Sequence, residues 1–170
     1  MKRPEKNEYA DFYETYVSLV PESDVIACLE NQIDEIVAAF KDVTDEKGLY
    51  AYGADKWTIK EVIGHLIDGE RVFAYRALRF SRADATPLPG FDQDPYIENG
   101  NANAVSISDL IEELVLNRKA NVLMFRNLTA EGWDRTGNAS DADITVRALA
   151  FILVGHIRHH LRILQERYLA

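Results

Sequence analysis

Four histidines carry the side chains that could do chemistry in this sequence. His156 and His160 are four residues apart, so on a helix they share one face, one turn apart, where two imidazoles can meet one metal ion. His65 falls among apolar residues on the expected inner face of another helix. Three imidazoles from two helices would form a metal site with positions left open for water or substrate, as in catalytic sites. Alternatively, each is a buried polar side chain with an ordinary hydrogen-bond partner, and spacing alone leaves both interpretations open.

Three further residues lie close to these histidines in the sequence. Gly69, one turn after His65, removes a side chain where it could crowd a ligand. Asp68 is within reach to orient the ring of His65 or to hold a water molecule at a metal, unless it is a solvated helix charge. His159 lies to the other side of His156 around the helix, and we expect it to support the site or to lie at the surface.

Four substrate-binding candidates come from the second long helix and the connection after it. Arg76 shares a helix face with His65, where it would contact an anionic substrate group or form a salt bridge within the bundle. Asp92 and Asp94 would close the open end of the site, and Tyr96 would bring a hydroxyl group to it. The alternatives are a plain acidic loop and a tyrosine that packs this loop onto the helices.

Apolar residues at helical spacing predict the elements that position these side chains. Thr58 and Glu61 form a capping box at the start of the second long helix. With no convincing strand, the pattern predicts an all-α four-helix bundle. The predicted helices cover residues 8–19, 22–40 and 58–81, begin again near Ser106 or Ser108, and begin once more near Asp143.

The connection at residues 84–105 is 22 residues long. Fully extended it would reach roughly 70 Å, whereas a helix of two dozen residues spans only about 36 Å. It can therefore cross the bundle and make the second and third long helices parallel. A structureless connection of this length inside a compact domain is more often functional than decorative.

Composition limits the class of protein further. A chain of 170 residues with 47% hydrophobic residues predicts one domain over residues 1–170. The single cysteine, Cys28, excludes a disulfide framework and a cysteine-rich metal site. Without a long apolar run or a signal-peptide pattern, we expect a soluble, cytoplasmic protein with no membrane partner. The net charge of -9 argues against a nucleic-acid partner.

The acidic residues are unevenly distributed, however. Residues 58–83 hold five basic and three acidic side chains, and residues 144–170 hold four basic and one acidic. The two segments that carry the histidines are therefore the basic part of an acidic chain. This distribution suits an anionic small molecule as the substrate.

Five sequence motifs in order resemble the DinB-like superfamily, in particular its YfiT-like metal-dependent hydrolases, which are related to bacillithiol S-transferases. The resemblance covers nearly the whole chain, and no one motif is decisive alone. The motifs are YETYVSLVP at residues 13–21, KWTIKEVIGHLID at 56–68, ERVFAYRALR at 70–79, TPLPGFD at 86–92 followed by Asp94 and Tyr96, and GHIRHH at 155–160.

The resemblance implies a four-helix bundle with up-down-down-up topology, often assembled as a homodimer. It also implies a divalent metal held by one histidine of the second helix and a His-x-x-x-His pair of the fourth, which correspond to His65, His156 and His160. Gly69 departs from the family pattern, where a larger residue is expected, and so does Pro95 inside the acidic connection. Neither removes a ligand, so these departures bear on the substrate rather than on the metal.

The chemistry implied is that of a metal-dependent enzyme with a small-molecule substrate. Zinc or nickel is the expected ion, with iron or manganese as alternatives, because imidazole donors suit all four. One reaction is transfer of a low-molecular-weight thiol to an electrophile, a role in stress and detoxification, and the other is hydrolysis by activated water. A non-catalytic metal- or ligand-binding stress-response bundle is the alternative class.

Overall fold

The computed structural model describes residues 2–169 and consists mainly of four long helices, α2, α4, α6 and α8 as numbered below. Single turns of 3-10 helix cover Lys6–Glu8, Asp11–Tyr13 and Ala102–Ala104. The elements are α1 (Glu14–Val17), α2 (Val25–Phe40), α3 (Asp45–Gly48), α4 (Ile59–Ser81), α5 (Gln93–Asn99), α6 (Ile107–Arg126), α7 (Ala130–Asp134), β1 (Thr136–Ala139), β2 (Ala142–Thr145) and α8 (Val146–Arg167).

Side-chain caps fix the starts of two of the long helices where the sequence predicts them. The Thr58 hydroxyl accepts the amide N–H of Glu61 at 3.1 Å, and the Glu61 carboxylate accepts the amide N–H of Thr58 at 2.7 Å. This confirms the capping box at α4. Ser106, one of the two predicted starts, caps α6 through the amide of Asp109. Within the predicted helix over residues 8–19, the structure has instead the last residue of one 3-10 turn, a second 3-10 turn and the four-residue α1.

The long connection makes α4 and α6 parallel, as predicted. Residue numbers rise along both helices from one contact to the next: Thr58 contacts Asn103, just before α6, and Glu70 contacts Arg118. The connection is not structureless, because it contains α5 and a 3-10 turn. Its first part is anchored by Leu88, which pairs with the strand residue Ala139.

α4 and α8 are antiparallel and form the helix pair that carries the histidines. Trp57, just before α4, accepts a hydrogen bond from Tyr168 at the end of α8, and Gly69, further along α4, packs against His156. α2 packs against α6 and α8 on the other side of the bundle. α2 is antiparallel to α6, because Glu30 pairs with Arg126 and Gln32 pairs with Arg118, so the order of directions is up-down-down-up. No helix within residues 2–169 is long and apolar enough to cross a membrane.

A two-stranded hairpin precedes α8, and the sequence-based expectation of no strand is wrong here. Antiparallel β1 and β2 are joined by the two-residue turn Ser140–Asp141, and both turn residues have positive φ. Asp143 therefore belongs to β2, and Thr145 rather than Asp143 caps α8 by accepting the amide N–H of Ala148. Strands of four residues are too short to give a clear alternating pattern.

The interior of the bundle is divided into two apolar clusters. One cluster contains the N-terminal halves of α2 and α8 and the C-terminal end of α4. The other contains the opposite ends of the same helices. Each long helix contributes a buried polar side chain at the level between them. These are Gln32 on α2, Glu70 on α4, Arg118 on α6 and His156 on α8. His156 of the histidine group therefore lies in this polar level.

Candidate metal centre

Three imidazole rings converge between α4 and α8. Each pair among His65, His156 and His160 has ring centroids 4.7–4.8 Å apart, and one ring nitrogen from each lies within 4.8 Å of the other two. The Nε2 atoms of His65 and His156 are 2.9 Å apart. The antiparallel packing of the two helices brings the i,i+4 pair of α8 opposite the single histidine of α4.

Burial keeps these rings uncharged at neutral pH. His65 and His156 are 4% and 3% exposed, and His160 is partly buried. Burial is the main cause that lowers the pKa of His65 to about 4, that of His160 to about 3, and that of His156 well below its usual value. Neighbouring histidines lower all three pKa values further. Neutral imidazole is the form that binds metal ions.

Two glycines make the space that this arrangement needs. A Cβ atom at Gly69 would lie 2.7 Å from Cε1 of His156, so only glycine lets the ring occupy its position over α4. A Cβ atom at Gly155 would lie 2.1 Å from the carbonyl oxygen of Tyr16, so this glycine lets the N-terminal segment lie directly on α8. Glycine at position 69, where the family pattern has a larger residue, therefore allows the close approach of His156.

Aromatic side chains surround the three histidines. Tyr16 packs edge-on against His156 with ring centroids 5.3 Å apart, and Phe73 packs against the same ring at 5.7 Å. The ring centroids of Trp57 and His65 are 5.1 Å apart. These rings limit the access of water and lower the local dielectric constant, which strengthens electrostatic interactions at the site.

A cleft of about 400 Å³ leads from the surface to His65 and His156. This volume is in the range of small-molecule sites. Its walls come from the N-terminal segment, α4, the crossover connection and the hairpin turn. The other lining residues are Phe12, Tyr13, Tyr16, Phe73, Arg76, Phe91, Asp92, Gln93 and Ser140.

The structure places two of the four substrate-binding candidates in this cleft. Arg76 is buried in its wall, and Asp92 lies at its exposed rim, where it caps α5 through the amide of Asp94. Asp94 itself is exposed and is not among the lining residues. Tyr96 is 47% exposed, packs against Phe91 and lines two neighbouring clefts instead.

Asp68 and His159 lie next to the cluster without joining it. Asp68 lines a separate cleft with Tyr96, and burial raises the pKa of its carboxyl group. No hydrogen bond within residues 2–169 joins Asp68 to the ring of His65. The His159 ring packs against Tyr16 and His160, and its buried Nδ1 has no hydrogen-bond partner in the described part of the chain.

Several residues of the site were not assigned a role from the sequence. Tyr13 and Tyr16 belong to the motif at residues 13–21, and Phe73 belongs to the motif at 70–79. Their place in these motifs is a signal that could have found them. Ser140 gave no such signal, because its position depends on the unpredicted hairpin turn.

The donor set suits a metal ion on chemical grounds. Three neutral imidazoles, two buried and one partly buried, each place a ring nitrogen near the others, and among residues 2–169 they make a single hydrogen bond, between His65 and His156. Ring nitrogens that face each other without further partners are the arrangement that a shared cation would complete. His65, His156 and His160 could hold such an ion and leave coordination positions open toward the cleft.

The fold and the site together define a class of protein, an up-down-down-up helix bundle with a three-histidine cluster at the base of a cleft. Comparison with family models gives the class its name. The model of the DinB superfamily matches residues 29–164, and the chain belongs to that superfamily.

A search of solved structures adds a relative with the same fold. The chain is similar to YfiT from Bacillus subtilis, described as "a probable metal-dependent hydrolase with an unusual four-helix bundle topology". The TM-score is 0.78 at 18% sequence identity, and the match covers 96% of this chain and 90% of the other. No curated protein matches the chain significantly. At this identity the likeness establishes the fold, and the function is argued from the site.

Proposed function

We propose that His65, His156 and His160 bind one divalent metal ion and that the protein is a metal-dependent enzyme acting on a small molecule. The observation that carries this proposal is the convergence of three neutral imidazoles, one nitrogen of each within 4.8 Å of the others, where a cleft reaches His65 and His156. Zinc or nickel is the proposed ion, and iron or manganese would suit the same donors. A three-histidine set leaves the ion with its full positive charge and favours an anionic ligand.

The proposed reaction is transfer of a low-molecular-weight thiol to an electrophile, in line with the resemblance to bacillithiol S-transferases. When bound, the ion would supply a Lewis acid that stabilises a thiolate or a hydroxide nucleophile at neutral pH. The thiol sulfur would form a bond to the electrophilic carbon, the leaving group would depart with its electron pair, and the thiol proton would pass to solvent.

The residues of the chain support this reaction by position and environment. The three histidines hold the reacting centre at the base of the cleft, and Gly69 gives His156 its place. Tyr16, Trp57 and Phe73 shield the centre from bulk water. Since this shielding reduces competing attack by water, it favours a thiol over water as the nucleophile.

Hydrolysis is the second candidate. It is supported by the description of YfiT as a probable metal-dependent hydrolase with the same fold. The same three histidines would serve it, with water in place of the thiol. The cleft-lining acid, Asp92, is at the exposed rim, so the lining residues offer no buried carboxylate as a general base.

A turnover assay tests the proposal. The metal-loaded protein is incubated with candidate thiols and a chromogenic electrophile, and separately with a chromogenic ester without thiol. Thiol-dependent turnover supports S-transfer, and thiol-independent ester cleavage supports the hydrolase. His160→Gln should lose activity and metal together.

His159→Gln is a matched control for His160→Gln, because it removes a neighbouring imidazole that lies outside the cluster. It should keep its metal. Full metal content with no turnover in either assay would favour the non-catalytic metal-binding bundle. A metal-free protein after growth with the four candidate metals and purification without chelators would contradict the proposal.

A further inference from the structure

One cationic side chain in the cleft wall has no opposite charge beside it. Arg76 is only 3% exposed, yet no carboxylate within residues 2–169 lies within salt-bridge distance of its guanidinium group. The other deeply buried arginine, Arg118, has a bidentate partner in Glu70. The salt bridge considered for Arg76 from the sequence is therefore not formed.

Neutral oxygen atoms hold the Arg76 guanidinium group in place instead. Its Nη1 donates to the hydroxyl of Tyr13 at 3.3 Å, and its Nη2 donates to the carbonyl of Pro89 at 3.0 Å and to Oγ of Ser140 at 3.2 Å. These three acceptors come from the N-terminal segment, the crossover connection and the hairpin turn. They orient the group but leave its charge uncompensated.

The hairpin turn holds an unusual conformation to reach this group. Ser140 and Asp141 have φ of 56° and 59°, in a turn where such values are usually met by glycine, asparagine or aspartate, so Ser140 is the unusual residue. Leu88 fixes the turn to the crossover connection, since its carbonyl accepts the amide N–H of Ser140 at 3.1 Å. Strained backbone of this kind persists where the surrounding structure holds it, often at ligand sites.

A buried cation without a counter-ion is costly, and an anionic ligand would remove that cost. Carboxylates are well matched to guanidinium groups because they accept charge-assisted hydrogen bonds from two N–H groups. Arg76 also lines a second cleft of about 340 Å³, formed mainly by Val72, Tyr75, Leu88, Pro89, Phe91 and Tyr96. Arg76 thus borders two clefts that an organic acid could occupy.

The distance to the histidines suits a single small molecule. The Phe73 ring lies 6.0 Å from the Arg76 guanidinium carbon and 5.7 Å from the centre of the His156 ring. The cation and the candidate metal centre therefore border the same aromatic ring. A ligand lying along this ring would place one end at each.

We propose that Arg76 anchors the carboxylate of an organic-acid substrate, whose apolar body packs against Phe73 and Phe91. The substrate class of this enzyme is then a small carboxylic acid whose reactive group faces His65 and His156. Only this last part depends on the proposed function. Asp92 is exposed at the rim and serves as the N-cap of α5, so it does not pair with Arg76, which stays available to an anion.

Binding of a matched pair of probes tests the anchor. 3-Phenylpropanoate and its neutral amide are titrated into the full-length metal-loaded protein, with dissociation constants from protein NMR. The acid should bind about tenfold or more tightly than the amide, as expected for a charge-assisted pair. Arg76→Gln should remove this preference. Equal affinities in the wild type, or no binding of either probe, would overturn the proposal.

Two further variants show whether the preference belongs to the Arg76 side chain. Arg79→Gln, one turn away and outside both clefts, removes the same charge and should keep the preference; a loss there as large as in Arg76→Gln would overturn the anchor. If Arg76→Gln does not fold, Arg76→Lys should fold and weaken the preference without abolishing it, and an unchanged preference would overturn the proposal.

His160→Gln separates the anchor from the metal. The preference for the acid should persist in this variant, because it belongs to Arg76; its disappearance would place the carboxylate at the metal and overturn the proposal. Metal content is measured in the same samples. If the wild-type protein prefers the acid but binds no metal, the Arg76 anchor is supported and the proposed function is contradicted. If it binds metal but does not prefer the acid, the proposed function is supported and the Arg76 anchor is contradicted.

Discussion

Two buried polar clusters lie side by side in the bundle and differ in how their members are satisfied. In the Arg118 cluster, Glu70 accepts two hydrogen bonds of 2.8 Å from Arg118, and Asn121 donates to the same carboxylate at 3.0 Å. Gln32 accepts a further bond from Arg118 and donates to the carbonyl of Val154 at 3.0 Å. In the histidine cluster, formed by His65, His156 and His160, the three rings make one hydrogen bond within residues 2–169.

This difference distinguishes a polar cluster that stabilises the fold from a polar cluster that is suited to bind a ligand. Opposite charges and complementary donors complete the Arg118 cluster within the protein, so it needs no ligand. The histidine cluster combines three groups of the same kind beside a cleft, and its completion requires something from outside the chain. Both clusters meet at one level of the bundle, where His156 follows Gln32, Glu70 and Arg118 around the four helices.

Among single substitutions, the largest expected effect comes from breaking the Arg118 cluster. Arg118→Met should lower the free energy of unfolding by about 3–5 kcal/mol, because it leaves the Glu70 carboxylate buried without its partner. The double variant Glu70→Leu/Arg118→Met should recover much of that loss, since no unpaired charge remains. Urea unfolding of the metal-free protein measures both. An unaffected single variant would show that this cluster does not stabilise the fold.

The histidine cluster should respond to metal instead. At a free zinc concentration 100 times the dissociation constant, the folded protein should gain about 2.7 kcal/mol. Chelation should reverse this gain in the wild type and in His159→Gln. His160→Gln should show no response to zinc or chelator in the same unfolding experiment, and an equal response would exclude this histidine as a ligand.

Gly69→Ala tests the packing that the histidine cluster requires. The added Cβ atom would force the His156 ring away from its position. Overpacking of this kind costs about 1–3 kcal/mol of stability, and we expect weaker zinc binding in addition. Gly53→Ala is the control, because its Cβ would meet only the flexible Lys56 side chain. Unchanged zinc affinity in Gly69→Ala would show that the ring position is not critical.

A change of pH should affect the metal-free histidine cluster gradually. In the unfolded chain each ring takes up a proton near pH 6.5, whereas the folded pKa values of His65 and His160 are about 4 and 3. The unfolded state therefore binds more protons below pH 6.5, and the free energy of unfolding should fall by about 1.4 kcal/mol per pH unit for each histidine. This loss should end near the folded pKa values, and above pH 7 the rings contribute no pH dependence.

Unfolding measured between pH 7 and pH 4 gives this slope. It should be shallower in His160→Gln and unchanged in His159→Gln when corrected for the titration of His159 itself. Equal slopes in the wild type and His160→Gln would show that the pKa of His160 is the same in the folded and unfolded states.

Much of the fold follows from local sequence rules. Apolar spacing and the Thr58 capping box predict the long helices, and the length of the crossover predicts parallel α4 and α6. The i,i+4 spacing of His156 and His160 predicts a shared face, and their approach to His65 follows once α4 and α8 are paired. The homodimer, the cytoplasmic location and the absence of a nucleic-acid partner stay predictions.

The remaining features depend on contacts between distant segments. The Arg118 cluster joins residues 48 and 86 positions apart, which no local pattern records. The surroundings of Arg76 depend on a hairpin whose strands are too short to detect from periodicity. The sequence therefore locates the histidines but does not show that Arg76 has no carboxylate partner within residues 2–169.

The most direct test of the central claim is a crystal structure of the zinc-loaded protein with anomalous diffraction at the zinc edge. We expect one anomalous peak, with a nitrogen atom of His65, His156 and His160 each at about 2.0–2.1 Å from it. The claim would be contradicted by a peak elsewhere, or by no peak and rings of His65 and His156 still joined by their 2.9 Å hydrogen bond.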